Sequence, residues 1–514
     1  MSHANFVVDG DVIYLRHTPT LKALLPHSQE IVTEKGKVLA VPHCADAVKV
    51  LKNVGYDVGA PILHQYDWCH GKPFDTQRFT AAFITQHERC FITSSVGVGK
   101  TAALLYGFDY LKKQGVVQRL LVVAPLSTLN PTWRREVLLR TPHLTMQVLR
   151  GTKAQRLQAL AIPSDIYVIN HDGLGVVYEE LSKRKDIDMI GVDELTAFKN
   201  ATAARSKLLQ KLSMTAKRVV GMTGTPTSND VVDAYGQIKA VLGRAFRMPF
   251  TTFRETLCLR QGPYKWVPRH NAATLVTQMY QPTIRFTRDD TYDLPPCTFI
   301  TRETELTPQQ AKLLKELRNE GAAMVAQDRI VGVNEAALLG KMLQVALGGV
   351  YAVGGQVVVV DAKPRYTELM DVLDTLDGKA IIFSTYKDSV RQLQEVVGAK
   401  YRIGVVHGDV SANARDEIFA QFQGGMLDHL VAHPRTMSHG LTLTAASTVI
   451  WFGPPNSLEE YLQANGRITR MGQKDKQLII HIVSSPLERR IFNRLEKKEG
   501  LQNVVLDILK EMDA

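Results

Sequence analysis

Cysteine is scarce in this chain of 514 residues, and the few cysteines that occur are scattered. There are 5, an odd number, and no two of them form a C-x-x-C pair. Neither a zinc site nor a disulfide framework is therefore indicated. Scattered cysteines that serve mainly as small packing residues are typical of a reducing cytosolic compartment.

Long hydrophobic runs are also missing. No stretch of about 18 or more consecutive apolar residues occurs, so we expect no membrane span. The first residues, Met1 to Asn5, lack a basic segment followed by an apolar core, so we expect no secretion signal. The hydrophobic content of 45% is ordinary for a soluble globular protein. The length favours roughly three domains.

The charge is unbalanced toward the basic side. Lysine and arginine together number 62 against 51 aspartates and glutamates, which gives a formal net charge of +11. A basic balance favours a polyanionic partner such as nucleic acid. A merely soluble basic protein would explain the charge equally well.

Residues 1–70 are predicted to form a separate small α+β module. Residues 12–15 and 37–42 have the composition of short strands, and residues 45–51 have the pattern of a helix that ends near Gly55.

From about residue 71 the pattern changes to short apolar runs that alternate with helical stretches. The runs cover residues 90–93, 120–124, 166–169, 189–192 and 218–222. Continuous apolar strands between helices indicate a parallel sheet that is covered on both faces. Ligands bind at the carboxyl ends of such strands.

The alternation stops over residues 230–285, which we predict to be a mostly helical insertion within a first lobe at 71–288. Two consecutive prolines at 295–296 force extended backbone, so residues 289–304 are predicted to be a connector. Residues 305–365 are predicted to be a helical addition. Apolar runs resume in a second lobe at 366–514, over residues 379–383, 403–406, 429–432, 448–452 and 478–483. The predicted fold class is therefore α/β, with two parallel-sheet lobes.

A phosphate-binding loop is predicted after the first strand of this region. Residues 94–101 read Ser-Ser-Val-Gly-Val-Gly-Lys-Thr and lead into a helix. Gly97 and Gly99 allow backbone N–H groups to turn toward phosphates, and the helix N-terminus adds a partial positive charge. Lys100 is expected to contact the β- and γ-phosphates, and Thr101 to ligate Mg²⁺. The alternative is an ordinary glycine turn before a helix.

An acidic pair follows the strand at 189–192. Two carboxylates at a strand end are costly unless a cation lies beside them, and Mg²⁺ held by Asp193 is the natural candidate. Glu194 is then expected to orient and deprotonate an attacking water. Alone, the pair would be better explained as an acidic N-cap of the next helix.

Three weaker candidates accompany these motifs. Thr223 and Thr225 end another strand, where their hydroxyls could couple the nucleotide to a nucleic-acid groove. Gln77 precedes the phosphate loop by one helix, and its amide could make two hydrogen bonds to adenine. A solvated surface glutamine is the common alternative.

Two arginines dominate the candidate site of the second lobe. Arg467 and Arg470 are three residues apart and would share one face of a helix, with Gln463 on the same face. Arginine stays charged and matches phosphate oxygens, so both are candidate arginine fingers. A solvated basic helix is the alternative. The neighbouring loop at 438–444 carries hydroxyls and backbone amides suited to phosphates.

Taken together, these residues resemble superfamily 2 helicases, and within them the Swi/Snf-like translocases. The first-lobe segments that match are 97–101, 122–126, 169–171, 193–196 and 223–226, with Trp133, Glu136, Lys199 and Asn200. The second-lobe segments that match are 382–386, 407–409, 439–443 and 463–473. The order of the segments agrees with the family, and the resemblance covers about residues 70–495.

The resemblance implies two RecA-like lobes, ATP and Mg²⁺ as cofactors, and ATP-driven movement on duplex, forked or branched DNA through phosphate contacts. It also implies nucleic-acid or coupling roles for residues of both lobes, namely Thr223, Thr225, Ser384, His407, His439 and Thr442. Compact prokaryotic, phage and annealing-helicase members are the most similar in organisation. We therefore expect a cytoplasmic, nucleoid-associated protein of a bacterial or phage-infected cell, with roles in DNA repair, recombination or replication.

Residues 1–70 would then form a substrate-recognition module, by their position relative to the motor. Two other functions stay open at this point. One is an RNA helicase, and the other is a non-hydrolysing DNA-binding architectural protein that keeps the fold.

Overall fold

The chain divides into two units, Met1–Thr227 with Val231–Thr291, and Ser228–Asp230 with Tyr292–Ala514. The computed structural model describes residues 6–34, 36–224, 230–262, 266–288, 290–291, 297–326, 332–351, 356–437, 443–469, 473 and 475–497. Unit 1 and unit 2 denote these two parts below.

Unit 1 begins with a four-stranded antiparallel sheet in the order β1-β2-β4-β3. Its elements are β1 (Phe6–Asp9), β2 (Val12–Arg16), α1 (Pro19–Leu24), β3 (Gln29–Thr33), β4 (Gly36–Pro42) and α2 (Ala45–Asn53). Alternate residues of the two central strands, such as Ile13 and Leu39, are buried against Leu51 of α2. The predicted strands and helix of the module are confirmed. Sequence reasoning missed β1, α1 and β3. All five residues of β3 are exposed and carry no burial pattern.

The larger sheet of unit 1 has seven parallel strands in the order β13-β5-β10-β9-β6-β8-β7. The strands are β5 (Arg89–Ile92), β6 (Arg119–Ala124), β7 (Met146–Leu149), β8 (Ile166–Asn170), β9 (Ile187–Val192), β10 (Arg218–Met222) and β13 (Thr283–Ile284). Two helices precede β5, α3 (Ile62–Gln65) and α4 (Asp75–Gln86). The helices between the strands are α5 (Lys100–Lys113), α6 (Arg135–Arg140), α7 (Lys153–Ala161), α8 (Leu174–Lys183) and α9 (Ala204–Thr215). The predicted parallel α/β lobe is confirmed.

Both faces of this sheet are covered, as the continuous apolar runs require. In β6, Leu121 and Val123 belong to the apolar cluster on one face, and Leu120 and Val122 belong to the cluster on the other. All four are essentially inaccessible to solvent. The core therefore forms two layers, one on each side of the strands.

The N-terminal module is held against the larger sheet by an aromatic cluster. Tyr66 and Trp68 pack edge to face with Tyr106 of α5 at ring-centroid distances of 6.1 and 5.4 Å. The Tyr66 hydroxyl donates a 2.6 Å hydrogen bond to Asp109, which also forms an ion pair with Lys113 at 2.8 Å. Burial of Asp109 opposes ionisation, yet the hydrogen bonds from Lys113 and Tyr66 keep its pKa below the ordinary value.

The insertion at 230–285 is less helical than predicted. It contains α10 (Ala234–Leu242), α11 (Phe250–Leu257) and α12 (Ala272–Met279), but also an antiparallel hairpin of β11 (Cys258–Arg260) and β12 (Trp266–Pro268). Its last residues form β13, which pairs with β5 at the edge of the large sheet. These strands are two or three residues long, too short for a periodic sequence signal.

Unit 2 contains a six-stranded parallel sheet in the order β14-β21-β20-β17-β19-β18. Its strands are β14 (Cys297–Glu303), β17 (Lys379–Phe383), β18 (Ile403–Val406), β19 (His429–Ala432), β20 (Ala446–Trp451) and β21 (Gln477–Val483). Its helices are α13 (Pro308–Ala326), α14 (Gly332–Ala346), α15 (Lys363–Thr375), α16 (Lys387–Gly398), α17 (Ala412–Gln423), α18 (Leu458–Asn465) and α19 (Pro486–Glu496). A small hairpin of β15 (Gly349–Tyr351) and β16 (Val357–Val359) lies within the predicted helical addition.

The structure corrects the predicted connector at 289–304. Cys297–Glu303 is not a linker but an edge strand, paired in parallel with the whole of β21. Its seven residues are exposed, so only the backbone pairing reveals it as part of the sheet.

A buried ion pair connects the start of α15 with α19 in unit 2. Arg365 and Glu488 are 1% and 0% exposed at their side chains and lie 2.7 Å apart. Arg365 also donates to the main-chain oxygens of Phe452 and Ile482, at the ends of β20 and β21. Most polar atoms of the pair are therefore hydrogen-bonded, which is what makes such burial tolerable.

In the part of the chain that the structure describes, no helix is both long enough and apolar enough to span a bilayer.

Candidate phosphate-loop site

The candidate residues of unit 1 follow neighbouring strands of one parallel sheet. The last paired residues of strands β5 and β10 are Ile92 and Met222. The last paired residues of strands β6 and β9 are Val123 and Val192. The phosphate loop, Thr223 and the Asp193–Glu194 pair come directly after these strands. Because parallel strands end at one edge, the sheet brings these predicted residues together, as expected.

The phosphate loop adopts a conformation that requires its glycines. Gly97 and Gly99 have φ values of 95° and 84°, in the left-handed region that side chains rarely occupy. Gly99 is the N-cap of α5, which continues for 14 residues from Lys100. The loop thus presents backbone N–H groups at the N-terminus of a long helix, which is a site suited to phosphate.

The segment that follows β13 fastens the phosphate loop from the side. The backbone N–H of Phe286 donates a 3.0 Å hydrogen bond to the hydroxyl of Ser94, and the Ser95 N–H donates to the Phe286 carbonyl at 2.9 Å. The Arg288 guanidinium donates to the Val96 carbonyl at 2.9 Å. Sequence reasoning assigned no role to Ser94 or Arg288. The structure shows that both hold the loop in place.

Lys100 lies folded over the loop. Its ammonium donates to the carbonyl oxygens of Ser94 and Ser95 at 2.8 and 3.0 Å. A lysine in this position can exchange these carbonyls for phosphate oxygens without a change in the backbone. Thr101 is the next residue of α5, so its hydroxyl belongs to the first helical turn.

Asp193 and Glu194 occupy a constrained turn after β9. Asp193 donates its backbone N–H to Val123 at 2.8 Å, and one of its carboxylate oxygens accepts the Glu194 N–H at 3.1 Å. Glu194 has φ 51° and ψ 63°, a left-handed conformation that is uncommon for a residue other than glycine. Such strain is typical of functional positions, because the surrounding structure must stabilise it.

Two side chains that sequence reasoning left without a role support Asp193. The Trp133 indole donates to its other carboxylate oxygen at 3.3 Å, and His171 lies 2.8 Å from its main-chain oxygen. Burial raises the pKa of Asp193, while the nearby Lys100 charge and the Trp133 hydrogen bond lower it. Burial lowers the pKa of His171 to about 4, so the ring is neutral at pH 7 and donates one N–H to Asp193.

Thr223 follows β10 and lies beside the phosphate loop at the carboxyl edge of the sheet. It is buried, and its N–H donates to Ile92 of β5 at 3.0 Å. A Cβ on Gly224 would approach Val96 of the loop to 3.0 Å, so the two segments touch. Thr225 lies outside the described residues, and its predicted role stays a prediction.

Gln77 is not the solvated glutamine that its sequence position alone would favour. It is 4% exposed, and its side-chain oxygen accepts the Phe74 N–H at 3.1 Å at the start of α4. A Cβ on Gly99 would overlap the Gln77 side-chain nitrogen, so the amide lies directly against the phosphate loop. The structure therefore brings Gln77 to the candidate nucleotide site.

Two of the predicted residues of unit 2, Ser384 and His407, lie on the corresponding edge of its own sheet. Ser384 follows β17, is fully buried, and bonds Ser389 through its hydroxyl at 2.8 Å. His407 follows β18 and accepts the Asp409 N–H at 3.3 Å. His439 and Thr442 lie outside the described residues, so the roles expected for them stay predictions.

The arginine segment differs from the predicted helix. Helix α18 ends at Asn465, and Arg467 lies in the turn beyond it, 1% exposed. Its side chain donates to the Gln463 carbonyl at 3.0 Å, which confirms that these two residues are adjacent. Gly466 at the C-cap ends the regular helix, so Arg467 is not part of it. Arg470 itself lies outside the described residues.

The residues of the unit 1 edge fit a magnesium–nucleotide complex. Among the described residues, no cluster of three or more histidine, cysteine or acidic side chains could enclose a metal. Mg²⁺ prefers few protein ligands together with phosphate and water oxygens. One carboxylate at Asp193, a hydroxyl at Thr101 and a left-handed glycine loop are the donors that such a complex would use.

The fold and the site define a phosphate-loop protein with two parallel-sheet units. A family profile described as the SNF2-related domain matches residues 48–346, and one described as the helicase conserved C-terminal domain matches residues 364–472. The chain belongs to the SNF2-related family. Its domains are those of a helicase-like ATP hydrolase that binds nucleotide.

Known proteins similar to this chain differ greatly in length. Protein p41 of Acyrthosiphon pisum secondary endosymbiont phage 1 is 25% identical over 461 residues, which cover 82% of this chain and 95% of p41. The DNA annealing helicase and endonuclease ZRANB3 of Bos taurus is 23% identical over 458 residues, covering 85% of this chain. The chain spans only 41% of ZRANB3.

A solved structure, the Sulfolobus solfataricus SWI2/SNF2 ATPase core in complex with dsDNA, matches with a TM-score of 0.38 and 22% identity. The match covers 83% of this chain and 91% of that one.

Proposed function

We propose that this protein is a DNA-dependent ATPase that moves along duplex or branched DNA. The observation that carries the proposal is the unit 1 edge, where a left-handed glycine loop, Lys100 and a strained Asp193–Glu194 turn follow adjacent strands. Membership of the SNF2-related family supports coupling of this site to a nucleic-acid motor. The net charge of +11 and the name of the relative ZRANB3, a DNA annealing helicase, favour DNA as the track.

In this proposal the nucleotide is ATP with Mg²⁺. The metal would neutralise phosphate charge, held by Thr101 and Asp193. Lys100 would move from the Ser94 and Ser95 carbonyls to the phosphates, and Gln77 would bond adenine. Glu194 would accept a proton from the attacking water, a task that suits a carboxylate held rigidly in a strained turn.

Unit 2 would supply the remaining charge. Arg467, and Arg470 after it, would stabilise the negative charge that develops on the transferred phosphoryl group, as arginine fingers do. Gln463 would orient Arg467 through the contact described above. Thr223, Thr225, Ser384, His407, His439 and Thr442 would couple nucleotide state to DNA contacts, which are expected to be mostly with phosphates and therefore sensitive to salt.

The decisive experiment compares the wild-type protein with Lys100→Ala in a phosphate-release assay with and without duplex DNA. We expect duplex DNA to raise the rate for the wild type and the variant to lose both basal and stimulated turnover. A matched control is Lys153→Ala, an exposed lysine at the start of α7. Wild-type turnover by Lys100→Ala would overturn the assignment of the phosphate loop.

The same assay separates the alternatives. Stimulation by RNA but not by DNA would favour an RNA helicase, and absence of hydrolysis with every nucleic acid would favour an architectural protein. A comparison of plain duplex, forked, four-way and single-stranded DNA, with the strand products followed on each, would identify the preferred track and whether strands separate. A fork preference would support roles in repair, recombination or replication.

Arg467→Lys tests the contribution of unit 2. The lysine keeps the charge but loses the planar fork, so we expect ATP binding to persist while turnover falls by about 10²-fold or more. Nucleotide affinity is measured with a fluorescent ATP analogue. Equal turnover by the variant and the wild type would remove Arg467 from the proposed site.

A further inference from the structure

A pocket of about 570 Å³ lies on the insertion of unit 1, outside the phosphate-loop edge. It is formed where α11 meets the β11–β12 hairpin, and neither the candidate site nor the family motifs use it. Three arginines and one glutamate line it, together with Cys258, Leu259 and Trp266; the charged residues are Arg254, Glu255, Arg260 and Arg269. The lining is therefore cationic and includes one aromatic ring.

The hairpin register places its key side chains on one face. Arg260 and Trp266 are directly opposite each other in the antiparallel pair. Opposite residues project to the same side of a sheet, so the guanidinium and the indole face the pocket together. Arg254 reaches the same ring from α11, with its guanidinium carbon 4.3 Å from the centroid of Trp266. An arginine stacked in this way is oriented while it keeps its charge.

The third arginine is oriented by the main chain. Arg269 donates from its side chain to the carbonyl oxygen of Glu255 at 3.1 Å, near the C-terminus of α11. A carbonyl fixes the position of the guanidinium but does not neutralise it. Within the part of the chain that the structure describes, the buried Nε of Arg254 has no hydrogen-bond partner.

Four aromatic side chains of the insertion form a packed cluster next to Arg254. Tyr235, Phe246, Phe250 and Phe253 pack against one another edge to face, at centroid distances from 5.2 to 6.1 Å. Arg254 also stacks over Phe250 at 5.5 Å. Arg254 is therefore held between Phe250 and Trp266, which limits the side-chain ordering that ligand binding would require.

We propose that this pocket, the arginine pocket, binds the phosphodiester backbone of DNA at a point separate from the phosphate-loop edge. Guanidinium groups match phosphate oxygens in geometry, and oriented arginines beside an aromatic ring suit a nucleic-acid backbone better than a compact metal or an apolar ligand. The inference rests on the proposed function for its choice of DNA. Its effect would be to anchor the DNA on the insertion of unit 1.

The test measures DNA affinity by fluorescence anisotropy over a series of salt concentrations, without nucleotide. Arg260→Ala and Arg269→Ala are each expected to weaken duplex binding about 10-fold and to reduce the slope of log K against log salt by about one. Arg260→Lys, which keeps the charge, should retain most of the slope. Lys207→Ala, an exposed lysine on α9, is the matched control and should bind as the wild type does.

Two further readouts keep the outcome interpretable. Thermal unfolding by circular dichroism should be unchanged in Arg260→Ala, and turnover at saturating DNA should equal that of the wild type, with only the half-saturating DNA concentration raised. Unchanged affinity and unchanged salt slope in both alanine variants would overturn the inference. Weakened binding of inorganic polyphosphate with unchanged DNA binding would also overturn it, because the pocket would then serve a free polyanion.

Failure of the proposed function is distinguishable from failure of this inference. If Lys100→Ala kept ATP turnover, the phosphate-loop assignment would fail, yet an affinity loss in Arg260→Ala would still support the arginine pocket, because DNA binding is measured without ATP.

Discussion

The two units build the same kind of parallel sheet but use its carboxyl edge differently. In unit 1 the edge carries charged groups, Lys100, Asp193 and Glu194, held by left-handed backbone and by hydrogen bonds from neighbouring strands. In unit 2 the described residues after β17 and β18 include Ser384 and His407, together with an exposed ion pair of Lys387 and Asp409. A second pair, Arg365 and Glu488, is buried within the unit. Charge that is placed on an edge can act on a ligand, whereas charge that is buried and paired mainly specifies the structure.

A shared architecture therefore does not divide function evenly between the two units. Both sheets have central strands that are buried beyond their first residue, such as β6 and β17, so the stability of each unit comes from the same source. What separates them is the loop chemistry after each strand. We expect ATP turnover to depend most on the unit 1 edge, with Arg467 of unit 2 contributing as proposed above, and the stability of unit 2 to depend on its buried ion pair.

The largest effect is expected from Glu194→Gln. The change removes the proton acceptor but keeps the size of the side chain, so DNA-stimulated ATP turnover should fall by about 10²- to 10⁴-fold while nucleotide binding persists. Ser384→Ala, on the edge of unit 2, is the comparison and should change turnover by less than about 10-fold. Phosphate release and fluorescent-nucleotide binding measure the two effects. Comparable losses in both variants would contradict the division between the units.

A large loss of stability is expected from Glu488→Ala. The change leaves Arg365 buried without its partner, which should lower the free energy of unfolding by about 3–5 kcal/mol. The matched control is Glu303→Ala, because Glu303 forms an ion pair with Arg489 at the surface and should contribute no more than about 1 kcal/mol. Urea unfolding followed by circular dichroism reports both. A loss no greater than that of the control would show that the buried pair does not stabilise unit 2.

A smaller effect is expected from Gly99→Ala. An alanine at φ 84° is strained by about 1–2 kcal/mol, and its Cβ would also displace Gln77 from the phosphate loop. Nucleotide affinity should therefore fall by about 10-fold, a loss of similar free energy. Gly115→Ala is the control, since Gly115 has φ 69° but nothing within 4 Å of a Cβ. Gly115→Ala should be destabilised by the backbone strain but keep its nucleotide affinity. Equal nucleotide affinities in Gly99→Ala and Gly115→Ala would refute the argument.

The smallest effect concerns the pH dependence of unit 1. The pKa of His171 is about 4 in the folded chain against 6.5 for an unperturbed histidine, so the unfolded chain binds the proton more readily. The contribution of His171 to stability is therefore complete above pH 6.5 and declines as the pH falls, by about 1 kcal/mol at pH 5.5. His171→Gln, which keeps an N–H donor, should flatten this part of the stability profile. An identical profile in the variant would disprove the role of His171.

Much of the fold could be predicted because its signals are local. Apolar runs of four to six residues between helical stretches identified β5, β6, β8, β9 and β10, and each forms within two residues of its predicted range. Glycines followed by lysine and threonine identified the phosphate loop before any contact was known. These features depend on neighbours in the sequence, so the sequence exposes them directly.

Several strands were missed, among them β1 and β7, which have four residues each, and three others with little burial of their own. β3 and β14 are exposed along their whole length, and β13 has only two residues. Each becomes a strand because another strand provides hydrogen-bonding partners, and β14 obtains them from β21, more than 170 residues further along the chain. Pairing of this kind leaves no periodic pattern in the strand itself.

The candidate site also combines features that are local in the sequence with contacts that depend on the fold. The residues that could act on a nucleotide are evident from the sequence, because Lys100, Thr101, Asp193 and Glu194 carry the required groups directly after apolar strands. The contacts of Trp133 and His171 with Asp193, the position of Gln77 against Gly99, and the place of Arg467 beyond the end of its helix are evident from the folded chain alone. Chemical identity is a property of a residue and its neighbours, whereas position depends on strands and helices that meet only when the chain has folded.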